Sequence, residues 1–278
     1  MANTLASDLV VDVARDRVLT VLGSKLAFLN AYSTDFSTDE LAPKKVVQVP
    51  KATAGATVQT DPSNYESGDS TLANIAVTPS EYSASFHLTS AQLQQGFKLQ
   101  QIFDINLRQL AYKIADIALA PVTGSATATV AAADWGTDDL ITMYAAGKNL
   151  DMKHLVLDGS YIARILPTDR NSFQLGESGA YGFDRIIENN RWDGAQANVT
   201  GFLCDPQAIA AAAGLPVLDP TVAAQMGTNE IITIPSLGLS VRFSTWGSTS
   251  TRAAWASFNV MFGAAAGDAT RLKIIKSA

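Results

Sequence analysis

Few residues in this chain could do nucleophilic or metal chemistry. There are two histidines, His87 and His154, and one cysteine, Cys204. Ser160 follows the turn Asp158-Gly159. A serine hydrolase would use Ser160 with His154 or His87, but the G-x-S-x-G elbow is absent: Gly159 abuts Ser160 and no glycine follows at that spacing. Ser160 reads instead as a helix cap. A zinc site needs about four ligands, and one cysteine plus two histidines far apart in sequence is a poor set. Cys204 ends the apolar run Gly201-Phe202-Leu203 and reads as a buried small hydrophobe; alone, it makes no internal disulfide framework. Asp138-Asp139 and Glu188 could pair for acid–base work. The plainer reading is that Asp138 opens a helix, where its charge suits the dipole, and that Glu188 ends an exposed strand. No phosphate loop or dinucleotide fingerprint occurs. The expectation is no enzyme, no catalytic residue, no cofactor site and no metal site.

The composition points the same way. Of 278 residues, 47% are hydrophobic and 17% charged, with net charge −6. The apolar fraction excludes wholesale disorder. The acidic balance and the lack of a Lys/Arg cluster argue against gripping a polyanion. No apolar run approaches the roughly 20 residues of a membrane helix, so no membrane partner is expected. The start, Met1-Ala-Asn-Thr-Leu5, shows no secretory signal, so the match of Asn198-Val199-Thr200 to a glycosylation sequon is read as chance. A charged fraction below the roughly 25% of an average soluble domain suggests that much of the surface meets other protein.

The elements that would carry such a surface follow from periodicity. Residues 4–30 read as an amphipathic helix with a break near Gly23, an arm more than a core. From about Thr34 to Leu88, prolines punctuate extended runs at 45–49, 74–78 and 82–88. A polar tip, 59–69, lies between the first two. This is a long two-stranded excursion, and such a ribbon is barely stable alone. It must lie on its own body or on a neighbour. Leu99, Ile102, Phe103, Leu110, Ile114 and Ile117 predict a spine helix over 89–120, with a bend at Gly96 and an end at Pro121 and Gly124. Beyond it come a helix over 139–149, a buried strand at 154–157 and a short helix at 161–166. Strands follow at 183–188 and 198–204, then a helix opened by Asp205-Pro206 and closed by Gly214. A hairpin about Pro235–Gly238, a long strand through Phe258, Val260 and Phe262, and a last strand at 271–276 complete the reading. Gly263-Ala-Ala-Ala-Gly267 is a close-packing run at a strand end.

This order of parts resembles the major capsid proteins of tailed double-stranded-DNA bacteriophages, the α+β Johnson fold of the Hong Kong phage type. The residues that carry the resemblance are the strand-turn-helix His154–Leu166, the run Val199–Ala210 and the hairpin Leu237–Val241. The resemblance spans essentially the whole chain. It implies an N-terminal arm (1–44), an extended β-loop (45–88), a peripheral domain with the spine helix (89–137 and 251–278) and an axial domain (138–250). It implies self-assembly as pentamers and hexamers into an icosahedral shell in the virion, formed in the host cytoplasm. The shell would enclose the genome without sequence-specific binding. Portal, scaffolding and decoration proteins are the implied partners. With only about 44 residues ahead of the loop, a separate scaffolding protein is expected, or none. Segments 123–136 and 171–182 are the implied hinges. Candidates for inter-subunit contact are Lys44, Lys45 and Lys51 at the loop base and Asp61, Tyr65, Glu66 and Asp69 at its tip. The basic trio is otherwise a solvated face. Rival readings are an encapsulin-like nanocompartment shell, distinguished by its contents, and a small serine hydrolase. A β-structural tail or adhesin protein is disfavoured by the long helix.

Overall fold

The computed structural model describes residues 4–42, 44–53, 58–61, 63, 71–88, 96–125, 128–132, 137–160, 162, 183–192, 199–248 and 253–277. The first helix, Thr4–Arg17, runs into a π-helical turn at Val18–Leu22, a further turn at Gly23–Lys25 and a 3-10 turn at Ala27–Ala31. The helical path thus passes through Gly23 and loosens one turn earlier. The wider π turn brings Val18, Val21 and Leu22 all to the buried side. Val13, Ala14, Val18, Leu22, Leu26, Phe28 and Leu29 belong to the principal core. Over residues 10–32 this stretch is therefore core, which corrects its reading as an arm more than a core: its apolar stripe is met by that of the spine helix.

Strand β1 (Ser33–Leu41) follows directly. β2 (Val47–Thr53) and β3 (Thr71–Val77) pair antiparallel as a two-stranded ribbon, and β4 (Ser80–Leu88) returns to the body. The spine helix spans Gly96–Ser125. Residues 89–95, the expected first turns, lie outside the described residues, and the expected bend at Gly96 falls at their edge. Leu99, Phe103, Leu107, Leu110, Ile114 and Ala118 line its buried face at spacings of three and four. Pro121 does not end the helix, as the sequence suggested. Its ring costs only the bond to Ile117, one turn from the end. Val122 is fully buried beyond it, and the Tyr32 hydroxyl donates to the neighbouring Ala118 carbonyl at 2.9 Å.

After β5 (Ala128–Ala132) come a helix, Thr137–Gly147, and β6 (His154–Leu157), β7 (Arg185–Glu188) and β8 (Val199–Cys204). The helix expected at 161–166 and the glycine-bearing loop 171–182 fall largely outside the described residues. Asp205 accepts from the Gln207 amide as a cap, but the helix it opens is one 3-10 turn, Pro206–Ala208. The chain then extends as β9 (Ile209–Pro216), buried at every position, in place of the helix closing at Gly214. A run without a polar face suits the middle of a sheet, not an amphipathic helix. β10 (Thr228–Ile234) and β11 (Leu239–Ser248) form the expected hairpin, with Gly238 at φ +72° in the turn. β12 (Ala253–Ala266) and β13 (Leu272–Ser277) complete the chain.

The main sheet is ordered β1-β9-β12-β11-β10, with β4 also paired to β12. A second sheet is ordered β5-β13-β8-β6-β7. Sheet membership does not follow the sequence boundary at 250: β9, β10 and β11 join β12, whereas β13 joins β8. Phe103 of the spine helix meets Phe86, Phe243 and Phe258 edge-on at 5.4, 5.7 and 5.5 Å, fixing the helix to one face of the main sheet. Gly263 and Gly267 do mark close approaches at the end of β12. A Cβ on Gly263 would lie 2.9 Å from the Thr78 carbonyl oxygen, and one on Gly267 would lie 2.4 Å from that of Gln207.

Candidate assembly surface

The register of the ribbon sorts its residues into two faces. Val47 opposes Val77, Val49 opposes Ile75 and Lys51 opposes Ala73 on one face. Gln48 with Ala76, Pro50 with Asn74 and Ala52 with Leu72 make the other. On the first face, Val49, Ile75 and Val77 are buried on Ala210 and Ala212 of β9. All six residues of the second face are exposed, and none is charged. Leu72 is 81% exposed, and Val58, beyond the ladder, is 97% exposed. Ten large apolar side chains are exposed among the described residues. Six of them lie on the first helical stretch (Leu9, Leu19), the ribbon region (Val46, Val58, Leu72) or the spine helix (Ile105).

Lys51 is the only charged residue of the two ladder strands, and it lies on the inward face. Its ammonium sits 3.3 Å from Asp268 of the same chain. Lys44 and Lys45 are exposed at the ribbon's root, Lys44 with φ +64°. Asp61 is exposed, with φ +49°. Tyr65, Glu66 and Asp69 lie outside the described residues. Sequence reasoning missed Leu72, because it began the second ribbon strand at Asn74. The alternation Leu72, Asn74, Ala76 was its available signal.

The face of the main sheet turned away from the spine helix is also poor in charge. His87, Trp255 and Trp246 stand in one cross-strand row, and Ser85, Ser257 and Ser244 in the next. The two indoles are 6.4 Å apart and nearly parallel. Ser83, Ser85 and Ser257 hydroxyls interconnect at 3.0 Å, and Ser257 donates to Asn259. Arg242 in the same face is buried, donating to Glu40 of β1 and, at 2.9 Å, to the Pro216 carbonyl.

The residues singled out for chemistry are dispersed. Ser160 donates both its amide and its hydroxyl to Asp158, at 2.8 and 2.6 Å, so Asp158 and not Ser160 is the cap. His154 lies in the second sheet and His87 in the main one. Burial lowers the His154 pKa, and its Nδ1 finds no partner among the described residues. Cys204 is buried, donates to the Ala31 carbonyl, and burial raises its pKa. Glu188 ends β7 and is itself exposed, accepting from Asn190, but the strand is not: Ile186 and Ile187 are buried. Side chains of Asp138 and Asp139 lie outside the described residues. No group of three or more His, Cys, Asp or Glu that could hold a metal occurs among the described residues. Two adjoining clefts of about 250 and 290 Å³ share Ser24 and Glu188. Arg191, which lines the first cleft, is held bidentately by Asp116 at 2.8 Å, over the Tyr112 ring.

No family model matches the chain, and no curated protein matches it by sequence. Solved structures do match. The capsid subunit of an empty GTA particle superposes with TM-score 0.53 at 13% identity, over 92% of this chain and 97% of that one. The fold is that of tailed-phage capsid subunits. The subunit of Gordonia phage Cozz matches this Johnson fold at TM-score 0.52 and 12% identity, over 90% and 86% of the two chains. That of a virus-like particle from Pyrococcus furiosus matches at 0.53 and 8%, over 95% and 98%. Most of each chain is spanned in these matches, so the likeness is not confined to one sheet.

Proposed function

We propose that the chain is the subunit of a closed protein shell, a major capsid protein that assembles as pentamers and hexamers around a double-stranded DNA genome. The observation that carries this reading is the near end-to-end match to capsid subunits at TM-scores above 0.5. The outward ribbon face supports it. A six-residue exposed face without charge, on a ribbon too thin to stand alone, is what a second copy would cover. Lys44, Lys45 and Asp61 flank it as candidate rim contacts, with Tyr65, Glu66 and Asp69 of the tip. The main sheet and spine helix would form the peripheral part and the second sheet the axial part. The acidic net charge suits a container that does not grip its DNA. Portal, scaffolding and decoration proteins are the further partners proposed, and the virion is the proposed location, with assembly in the host cytoplasm.

A second reading is a nanocompartment shell, favoured by the equally good match to the Pyrococcus furiosus particle. Negative-stain microscopy of the purified chain tests both. Closed hollow particles are expected, and nucleic acid inside them, rather than cargo protein, marks the first reading. A chain that stays a low-order oligomer at all concentrations overturns both.

A further inference from the structure

The lone charge of the ribbon ladder faces its own subunit. Beyond the apolar seat of Val49, Ile75 and Val77 on β9, Lys51 reaches Asp268 in the turn between β12 and β13. That turn is braced. Asp268 accepts from the Thr270 amide and hydroxyl at 3.1 and 2.6 Å, and its own amide donates to the Gln207 carbonyl at 3.0 Å. Arg271 lies 3.7 Å from Asp268 and 3.4 Å from Asp205, which caps the 3-10 turn before β9. The charges therefore alternate Lys51, Asp268, Arg271, Asp205 along one line of contact. Lys51 and Asp268 side chains are only 21% and 26% exposed, so solvent screens the pair less than a surface one. Next to it, the Cβ position of Gly267 lies 2.7 Å from Ile75 Cδ1, so the turn and the ribbon touch closely.

We propose that the Lys51–Asp268 pair is a mooring that seats the ribbon on its own subunit before a second copy arrives, presenting the uncharged outward face preformed. What that face meets rests on the shell reading above; the mooring itself does not. A preseated ribbon loses less conformational freedom on association than a free one. Lys51 and Asp268 are thus positioning residues for assembly, not contacts with the neighbour.

Hydrogen exchange on subunits held below the concentration at which they associate tests this. In Lys51→Met and in Asp268→Asn, amides of β2 and β3 are expected to exchange about fivefold faster, the factor a part-buried ion pair supports. Amides of β10 and β11 are expected not to change. The charge-conserving Lys51→Arg is expected to keep ribbon exchange within about twofold of the parent. Lys51→Met leaves the Asp268 cap intact, so it reads the mooring even where Asp268→Asn folds poorly. Unchanged ribbon exchange in Lys51→Met overturns the mooring, as does a uniform rise across all strands. A parent chain that never forms shells would sink the shell reading while leaving the exchange result to decide the mooring.

Discussion

At the scale of the residue, the groups that looked chemical are spent on structure. Ser160 gives its hydroxyl to Asp158, and Cys204 lies under Ala31 in the core. His154 is one titratable group with a consequence for stability. Burial lowers its pKa below the ordinary 6.5, with the nearby Asp184 and Asp205 carboxylates opposing that shift and Arg185 reinforcing it. The unfolded chain then binds a proton at a pH where the folded one does not, so stability falls as pH drops below 6.5. Thermal melts between pH 7.5 and 5 are expected to show the melting temperature falling over that range. The His154→Gln variant is expected to lose the part of the fall nearest pH 6. An identical slope in the variant would assign the effect elsewhere.

At the scale of the element, the ribbon carries the surface and the spine carries the core. Leu72 separates the two roles: at 81% exposure it stabilises its own subunit little. Leu72→Asp is expected to shift unfolding free energy by no more than about 0.5 kcal/mol. It should raise the concentration needed for assembly at least about tenfold, because a charge would have to be buried against a neighbour. Sedimentation of assembled against free protein, beside a denaturant melt, measures both. Normal assembly of the variant would show that this face stays open in the shell. The spine helix and the ribbon strands were legible in the sequence because their apolar residues keep one period for several turns or pairs. β9 was not legible. Asp205-Pro206 and four alanines imitate a capped helix, whereas the alanines are there because both faces of β9 are crowded. Ala210 and Ala212 seat the ribbon, and Gly214 leaves only 2.6 Å between a Cβ and Leu41. β1 was illegible for the opposite reason: Ser33-Thr-Asp-Phe-Ser-Thr-Asp-Glu-Leu41 is a polar edge strand held by backbone pairing to β9.

At the scale of the whole molecule, the sequence showed the order of parts better than their partition. The expected boundary at 250 fails to separate the sheets because β12 is 14 residues long and serves β4, β11 and β9 in turn. Such long-range pairing leaves no local trace. Of the candidate contact residues, Lys51 pairs within its own chain. If uncharged faces drive association, ionic strength should matter little. Raising salt from 0.1 to 1 M shortens the screening length from about 10 to about 3 Å. The concentration needed for assembly is expected to shift less than about threefold, by light scattering. A tenfold loss would mean that charged rims such as Lys44 and Lys45 dominate.

The ribbon's two limbs are continuous with β1 and β4, and both are bonded into the main sheet rather than hinged at its rim. Tension passed into β1 or β4 along its own axis falls on the strand's whole pairing. It loads the six register pairs of β1 with β9, or the nine of β4 with β12, side by side in shear instead of peeling them one at a time. A subunit tugged by its ribbon would resist as a lap joint does, failing only when the whole overlap gives way together.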